Sequence, residues 1–438
     1  MAKTFREWSV DQRWLLPPSV QELVPADHLA HFVRDTVRES LDLSAIFAAY
    51  AEERGYPPYH PTMMTAVLLY AYCQGIYSSR RIARACEERV DFMAVTAMNR
   101  PDFRTIAKFR ERHLEALGGL FKQVLKLCQR AGMVKLGHVA LDGTKVKANA
   151  SKHKAMSYGR MLETEAKLAE EVGRWLAEAN ATDAREDAAH GERRGDELPS
   201  WVADKQKRLE KIREAKAALE AEARAKAEAE KKDCGGGGRG GGGSDEPPKP
   251  AKKAQRNFTD PESRILKTRE GFVQGYNAQL AVDGEHQIIV AEMVVAEQND
   301  TPHLPAMLAQ MRANTGRTAA ELSADNGYFS ESNMRALKRR RVRGFLSPGR
   351  DKHGDRARSK RRHAYEAPLL REMAARVRRG GFRSRYRLRK QIVEPVNGQI
   401  KEARGFRRFS MRGLRKVRGE WSFVCAAHNL LKLARYGR

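Results

Sequence analysis

The chain has 438 residues, with 82 Lys and Arg against 55 Asp and Glu, a formal net charge of +27. Its 41% of apolar residues suffices for a real core, which excludes disorder from end to end, and the charge excess calls for a polyanionic partner, nucleic acid ahead of anionic membrane. The five cysteines are scattered and contain no Cys-x-x-Cys pair, so neither a disulfide framework nor a structural zinc site is indicated, and no stretch reaches the roughly 18–20 apolar residues of a membrane span. A cytoplasmic, nucleoid-associated protein of about two or three domains is expected.

In chain order, residues 1–135 read as an all-α N-terminal DNA-binding domain. Amphipathic pieces run from Ala26 to Tyr50, and a more apolar helix from Thr62 to Tyr77 has Pro61 where a first-turn proline belongs. Ser78 and Ser79 offer caps for RRIARACEE, whose Ile82, Ala83 and Cys86 share one face and leave Arg80, Arg81 and Arg84 outward. The pattern suits a helix-turn-helix offering those arginines to DNA, and equally a helical hairpin with solvated arginines. TIAKFRERHLEALGGLFKQVLKLCQRAG reads as one longer helix, capped at Thr105 and closed by Gly132.

At Gly137 the period becomes extended: HVALDGTKVKANAS starts a sheet. An insertion, 155–256, interrupts it. Its Val202–Lys232 stretch is rich in Ala, Glu, Lys and Arg, with pairs Glu220–Arg224, Glu222–Lys226 and Glu228–Lys232 in the favourable polarity, and predicts a mostly solvated helix. Leu209, Ile212 and Leu219 begin a seam that Lys216 interrupts, and a Gly-rich linker follows. The sheet resumes with GFVQGYNAQLAVD and QIIVAEMVVAE, a hairpin about Asp283-Gly284; then come a helix, AELSADNGYFS, a helix and VRGFLSP. Three antiparallel strands followed by αβαβ is the order of a ribonuclease H-like core, a mixed sheet with flanking helices. The expected α/β architecture is therefore an all-α domain (1–135), a catalytic domain (136–154 and 257–410), the helical insertion (155–256) and a basic C-terminal helix (411–438). Residues 335–438 hold 33 Lys and Arg against 7 Asp and Glu, so this last quarter, with Arg339, Arg340 and Arg341, is expected to grip phosphates.

Three acids stand out by position. Asp142 ends Val139-Ala140-Leu141 and Asp325 ends Leu322-Ser323-Ala324, each at the C-terminal end of a central strand, where α/β sheets open a crevice. Each taken alone reads as a turn residue or cap. Glu394 lies among Arg387, Arg389, Lys390, Lys401 and Arg404, on a helix expected from Ser384 to Ala403. There Tyr386, Lys390, Glu394 and Lys401 share a face, while Ile392, Val393, Val396 and Ile400 pack on the core and bring Glu394 to the buried boundary. A buried carboxylate is costly unless a cation offsets it, and two hard divalent ions need several carboxylates to hold them. Glu402 and Glu372 are the next candidates for a third ligand.

With these residues in view the chain resembles the bacterial insertion-sequence transposases of the DDE class that have a helical N-terminal domain and a Tyr, Arg/Lys, Glu, Lys signature on the last catalytic helix. The matching segments are YHPTMMTAVLLYAYCQGIYSSRRIARA, ALDGTKVKANAS, NFTDPESRILKTREGFVQGYNAQLAVD, SADNGYFSE and YRLRKQIVEPVNGQIKEARGFRRF. The family often has an aromatic where Asn397 stands, and Arg where this chain has Lys390. The resemblance implies Mg²⁺ or Mn²⁺, two ions, held by Asp142, Asp325 and Glu394, with Tyr386, Lys390 and Lys401 on DNA near them. It implies strand cleavage at element ends and strand transfer to target DNA, by a homodimer bound to double-stranded DNA at the terminal inverted repeats. Two rivals are a catalytically inactive, transposase-derived DNA-binding protein and a basic nucleoid or RNA-packaging protein.

Overall fold

The computed structural model describes residues 19–50, 58–190, 200–233, 248–268, 271–348, 367–380 and 383–436. Seven helices come first: α1 (Leu29–Glu39), α2 (Ser44–Phe47), α3 (Pro61–Cys73), α4 (Ser79–Glu88), α5 (Val90–Thr96), α6 (Phe103–Arg112) and α7 (Leu114–Arg130). Every residue of α3 from Met64 to Cys73 is buried, as an unbroken apolar run requires. In α4 the expected faces form, with Ile82, Ala83 and Cys86 inside and Arg80, Arg81 and Arg84 exposed. The long helix expected from Thr105 is two helices. Asp102, not Thr105, caps α6, accepting from the N–H groups of Arg104 and Thr105 at 2.7 and 3.2 Å. The helix then breaks at His113, at φ −105° and ψ 18°, where the ring stacks on Tyr50.

The main sheet is built from β1 (His138–Lys147), β4 (Arg264–Thr268), β5 (Gly271–Asp283), β6 (Ile289–Val295), β7 (Glu321–Ala324) and β8 (Arg343–Leu346). A separate two-stranded ribbon, β2 (Ala155–Ser157) with β3 (Gln255–Asn257), stands at the base of the insertion. The main order is β4-β5-β1-β7-β8, with β6 also on β5. β5 runs antiparallel to β1, β4 and β6, whereas β7 is parallel to β1 and β8 to β7. Helices α10 (Leu304–Thr315) and α11 (Glu331–Arg339) make the β6-to-β7 and β7-to-β8 connections. This is the predicted strand sequence, with β4 added.

Insertion helices α8 (Tyr158–His190) and α9 (Ser200–Asp233) pair through a small core of their own, in which Tyr158, Met161 and Leu168 meet Leu209, Ile212 and Leu219. α9 is mostly solvated, as expected, and four apolar residues spaced along it, Ala215 completing the seam, seat it on α8. Lys216 does not break the seam, because its ammonium reaches Glu165 at 2.6 Å. Glu222 bonds Arg256 and Arg264 at 2.6 and 3.0 Å. The Gly-rich linker falls in 234–247, outside the described residues.

The C-terminal helix Leu414–Tyr436 lies between α7 and β6 and buries Trp421, Phe423, Val424 and Leu430. Asn429 fastens it to the sheet, accepting from the Ile289 N–H and donating to the Ile289 carbonyl, both at 2.8 Å. One hydrophobic cluster runs from Val33 through Leu120 and Val139 to Trp421. The helical residues 1–135 and the helix of 411–438, expected as separate units, therefore share the sheet's core; the apolar stripe of α7 is covered by the C-terminal helix and not by helices of its own segment. Among the described residues no helix is long and apolar enough to cross a membrane, and Cys73, Cys86, Cys128 and Cys425 are buried and free.

Candidate active site

The parallel ladder between β1 and β7 pairs Ala140 with Ser323 and Leu141 with Ala324. One step further the register sets Asp142 beside Asp325. β7 stops there, and Asp325 turns the chain by accepting from the Gly327 N–H at 2.9 Å. β1 does not stop: Gly143 to Lys147 go on pairing with β5. Asp142 thus sits mid-strand, not at a strand end as expected, because β1 outlasts its parallel neighbour on one side only. No Asp-Gly turn forms.

Glu394 arrives from the helix Leu388–Gly398, seated on the sheet by Ile392, Val393 and Val396. Its side chain is 45% exposed, more open than the expected buried boundary, and it accepts from Arg389 at 2.8 Å. The same guanidinium lies 3.3 Å from Asp142, so Arg389, only 13% exposed, spans the two acids. Asn397 donates to the other Asp142 oxygen at 3.2 Å, and its own buried amide oxygen has no partner among the described residues.

Burial pushes the Asp142 carboxyl up to about 7; Arg389 opposes this, while Asp325, Glu394 and Asp300 add to it. Asp325 is raised too, by burial and by Asp300, against the Gly327 N–H and Arg389. Four acids are thus electrostatically coupled around one arginine. Asp300 was not singled out from the sequence. It caps a short turn after β6, and one of its oxygens accepts from Asn277 at 2.7 Å and Gln279 at 2.6 Å. A side chain on Gly143 would come within 2.6 Å of that same oxygen, so Gly143 must be glycine for Asp300 to lie over β1. The available signal was in β5, where Asn277 and Gln279 alternate with Tyr276, Ala278 and Leu280 in a strand buried on both faces.

The other expected site residues scatter. The helix of 384–403 is three pieces: a 3₁₀ turn at Arg385–Arg387, the α-helix, and a π turn at Gln399–Ala403. Lys401, in the π turn, bonds the Thr144 hydroxyl and the Lys145 carbonyl of β1, each at 2.9 Å. Lys390 is exposed and Tyr386 partly so. Arg339, Arg340 and Arg341 precede β8, at the end of the parallel strands opposite to Asp325, and Arg80, Arg81 and Arg84 line the outer face of α4. Glu402 pairs with Arg407 and Glu372 with Arg376.

Among the described residues no three Asp, Glu, His or Cys side chains converge closely enough to enclose a metal ion as they stand. The donor chemistry nonetheless suits a hard cation: carboxylate oxygens in a desolvated setting, two of them held above the ordinary carboxylate range, and an unpartnered amide oxygen beside Asp142.

Residues 18–112 match a family model described as a transposase domain (DUF772), and residues 250–430 match one described as a transposase DDE domain; together these span more than half of the chain. No curated protein and no solved structure matches it. The chain belongs to the DDE transposases of insertion sequences.

Proposed function

We propose that this transposase cuts DNA at the ends of its own mobile element and joins the freed 3′-hydroxyls to target DNA, with Asp142, Asp325 and Glu394 as the catalytic carboxylates. The observation that carries the reading is the register of parallel β1 and β7, whose last pair, Leu141 with Ala324, stands one step before Asp142 and Asp325, with Glu394 linked to Asp142 through one guanidinium. We read the sheet, three antiparallel strands with two parallel ones beside the first, as ribonuclease H-like.

Asp142, Asp325 and Glu394 would hold Mg²⁺ or Mn²⁺, in line with two ions. Bound there, such ions activate the attacking oxygen and stabilise the leaving one. The protein's own residues prepare the place. Burial keeps a proton on Asp142 up to about pH 7, Arg389 supplies the compensating charge, and Asn397 orients the carboxyl. Lys401 fixes the end of the Glu394 helix to β1. DNA contacts by Tyr386, Lys390, Arg80, Arg81, Arg84 and Arg339 to Arg341, a DNA-bound homodimer, recognition of the inverted repeats by residues 1–135 and action on cytoplasmic DNA complete the reading.

A second reading, a catalytically inactive DNA-binding descendant, is favoured by the hold of Arg389 on two of the three acids. The test is a duplex made from the DNA flanking this gene, incubated with the protein in Mg²⁺, Mn²⁺ or EDTA. Nicks ending in 3′-hydroxyls in either metal and none in EDTA are expected. Binding without nicks in both metals would select the inactive descendant.

A further inference from the structure

Two clefts meet where the insertion joins the sheet. One, of about 610 Å³, is lined by Lys147, Lys152, Lys154, Arg408 and Arg412. The other, of about 720 Å³, lies against the insertion helices and is lined by Arg160, Lys207, Arg208 and Lys211. His153, Lys154 and Thr259 line both, so the clefts form one track. Its nine Lys and Arg residues are all exposed, and Asp204 is the one acid in its lining. Seven of the nine lie outside the basic last quarter of the chain. None is a residue the sequence pointed to.

The track is built and not incidental. In α9, Leu209 and Ile212 face α8 while Lys207, Arg208 and Lys211 face out, so the small core of the insertion sets the direction of its charge. The other end lies on the strand that carries the candidate active site: Lys147 is the last residue of β1, and Asp142 stands five residues earlier. At about 3.3 Å per residue that is about 17 Å, the rise of about five base pairs of duplex.

We infer that the insertion is a backbone clamp for duplex DNA, holding phosphates that begin about five base pairs from the bond cut at Asp142 and Asp325. This rests on the proposed function for the position of the cut. Nine exposed Lys and Arg outnumber the rings in the lining, Phe258, Phe272 and His153, and suit a phosphate backbone more than a stack of unpaired bases, which selects duplex over single strands. The contacts are therefore independent of sequence.

The test uses the full chain carrying Lys207→Gln, Arg208→Gln and Lys211→Gln together. Binding is measured by fluorescence anisotropy over a salt series, on a duplex from the element's end, an unrelated duplex and a single-stranded RNA. Arg312→Gln with Arg317→Gln, exposed at and just after the end of α10, controls for loss of charge alone, and thermal melting controls for folding. The plot of log affinity against log salt is expected to become shallower by about 2–3 for both duplexes, at about 0.9 per lost phosphate contact, with the control pair unchanged. Hydroxyl-radical protection should be lost beyond about five base pairs from the cut, since the altered residues line the cleft farther from Asp142. A duplex slope equal to wild type in a folded variant overturns the clamp and leaves the proposed function standing. A loss confined to the RNA also overturns it. If wild type itself binds duplex without salt dependence, both readings fall.

Discussion

A carboxylate buried beside like charges ionises only when a cation stands close, and at Asp142 that cation is Arg389, 3.3 Å away. The arginine also holds Glu394, and its charge is felt at Asp325. Above about pH 7, where Asp142 is ionised, removing the guanidinium leaves a buried charge uncompensated, at a cost of about 3 kcal/mol or more. Arg389→Gln keeps hydrogen-bonding capacity and loses the charge, so in EDTA at pH 8 the protein should melt well below wild type. Added Mg²⁺ should then raise its melting temperature by more than it raises that of wild type; equal melting in EDTA would show that the pair carries no weight. The sequence singled out Asp142, Asp325 and Glu394 by strand ends and apolar neighbours, although Asp142 sits mid-strand and Glu394 is more open than its neighbours suggested. Asp300 and Arg389 were not, because their roles come from a turn and a helix that only the folded sheet brings over β1.

On the scale of elements, the Glu394 helix shows what periodicity misses. Pro395 has no N–H to give the Gln391 carbonyl, and the Gln287 side chain donates to it instead, at 3.0 Å. The expected single helix ends in a π turn that carries Lys401, which bonds β1, a change of pitch that a 3.6-residue period does not foresee. The β5–β6 hairpin, by contrast, was legible from its turn and its alternation. The join of β6 to the C-terminal helix hides a titrating group. Burial pushes Glu292 up to about 7, against the Ser422 hydroxyl, which donates at 2.7 Å, and the nearby Arg418 and Lys122. A carboxyl raised in the folded state stabilises the protein fully below its ordinary range, and that contribution is lost as pH rises through about 7. Melting temperature should therefore fall between pH 5 and pH 8, by up to about 3 kcal/mol of stability from this group, and Glu292→Gln should fall less. The same pH dependence in both proteins would place the titration elsewhere.

Across the whole molecule, the helical N-terminal segment, the sheet and the C-terminal helix share one core. Sequence showed that α7 has an apolar face, but not that its cover lies some three hundred residues away; that is why separate domains were expected. The three proposed catalytic acids are held by this common core: β1 and β7 position Asp142 and Asp325, and the helix docked on Ile392, Val393 and Val396 positions Glu394. The measurement that bears most directly on the account compares Glu394→Gln, Asp142→Asn and Asp325→Asn with wild type, scoring Mg²⁺-dependent strand cleavage and DNA affinity on the same duplex. Cleavage should fall by orders of magnitude in each single variant, with no comparable further loss when the three are combined, since ligands of one site fail as a unit. Affinity should hold or rise, because a negative charge facing phosphate has been removed. Normal cleavage by Glu394→Gln beside a dead Asp142→Asn would contradict the assignment of Glu394, and normal cleavage by all three would contradict the site.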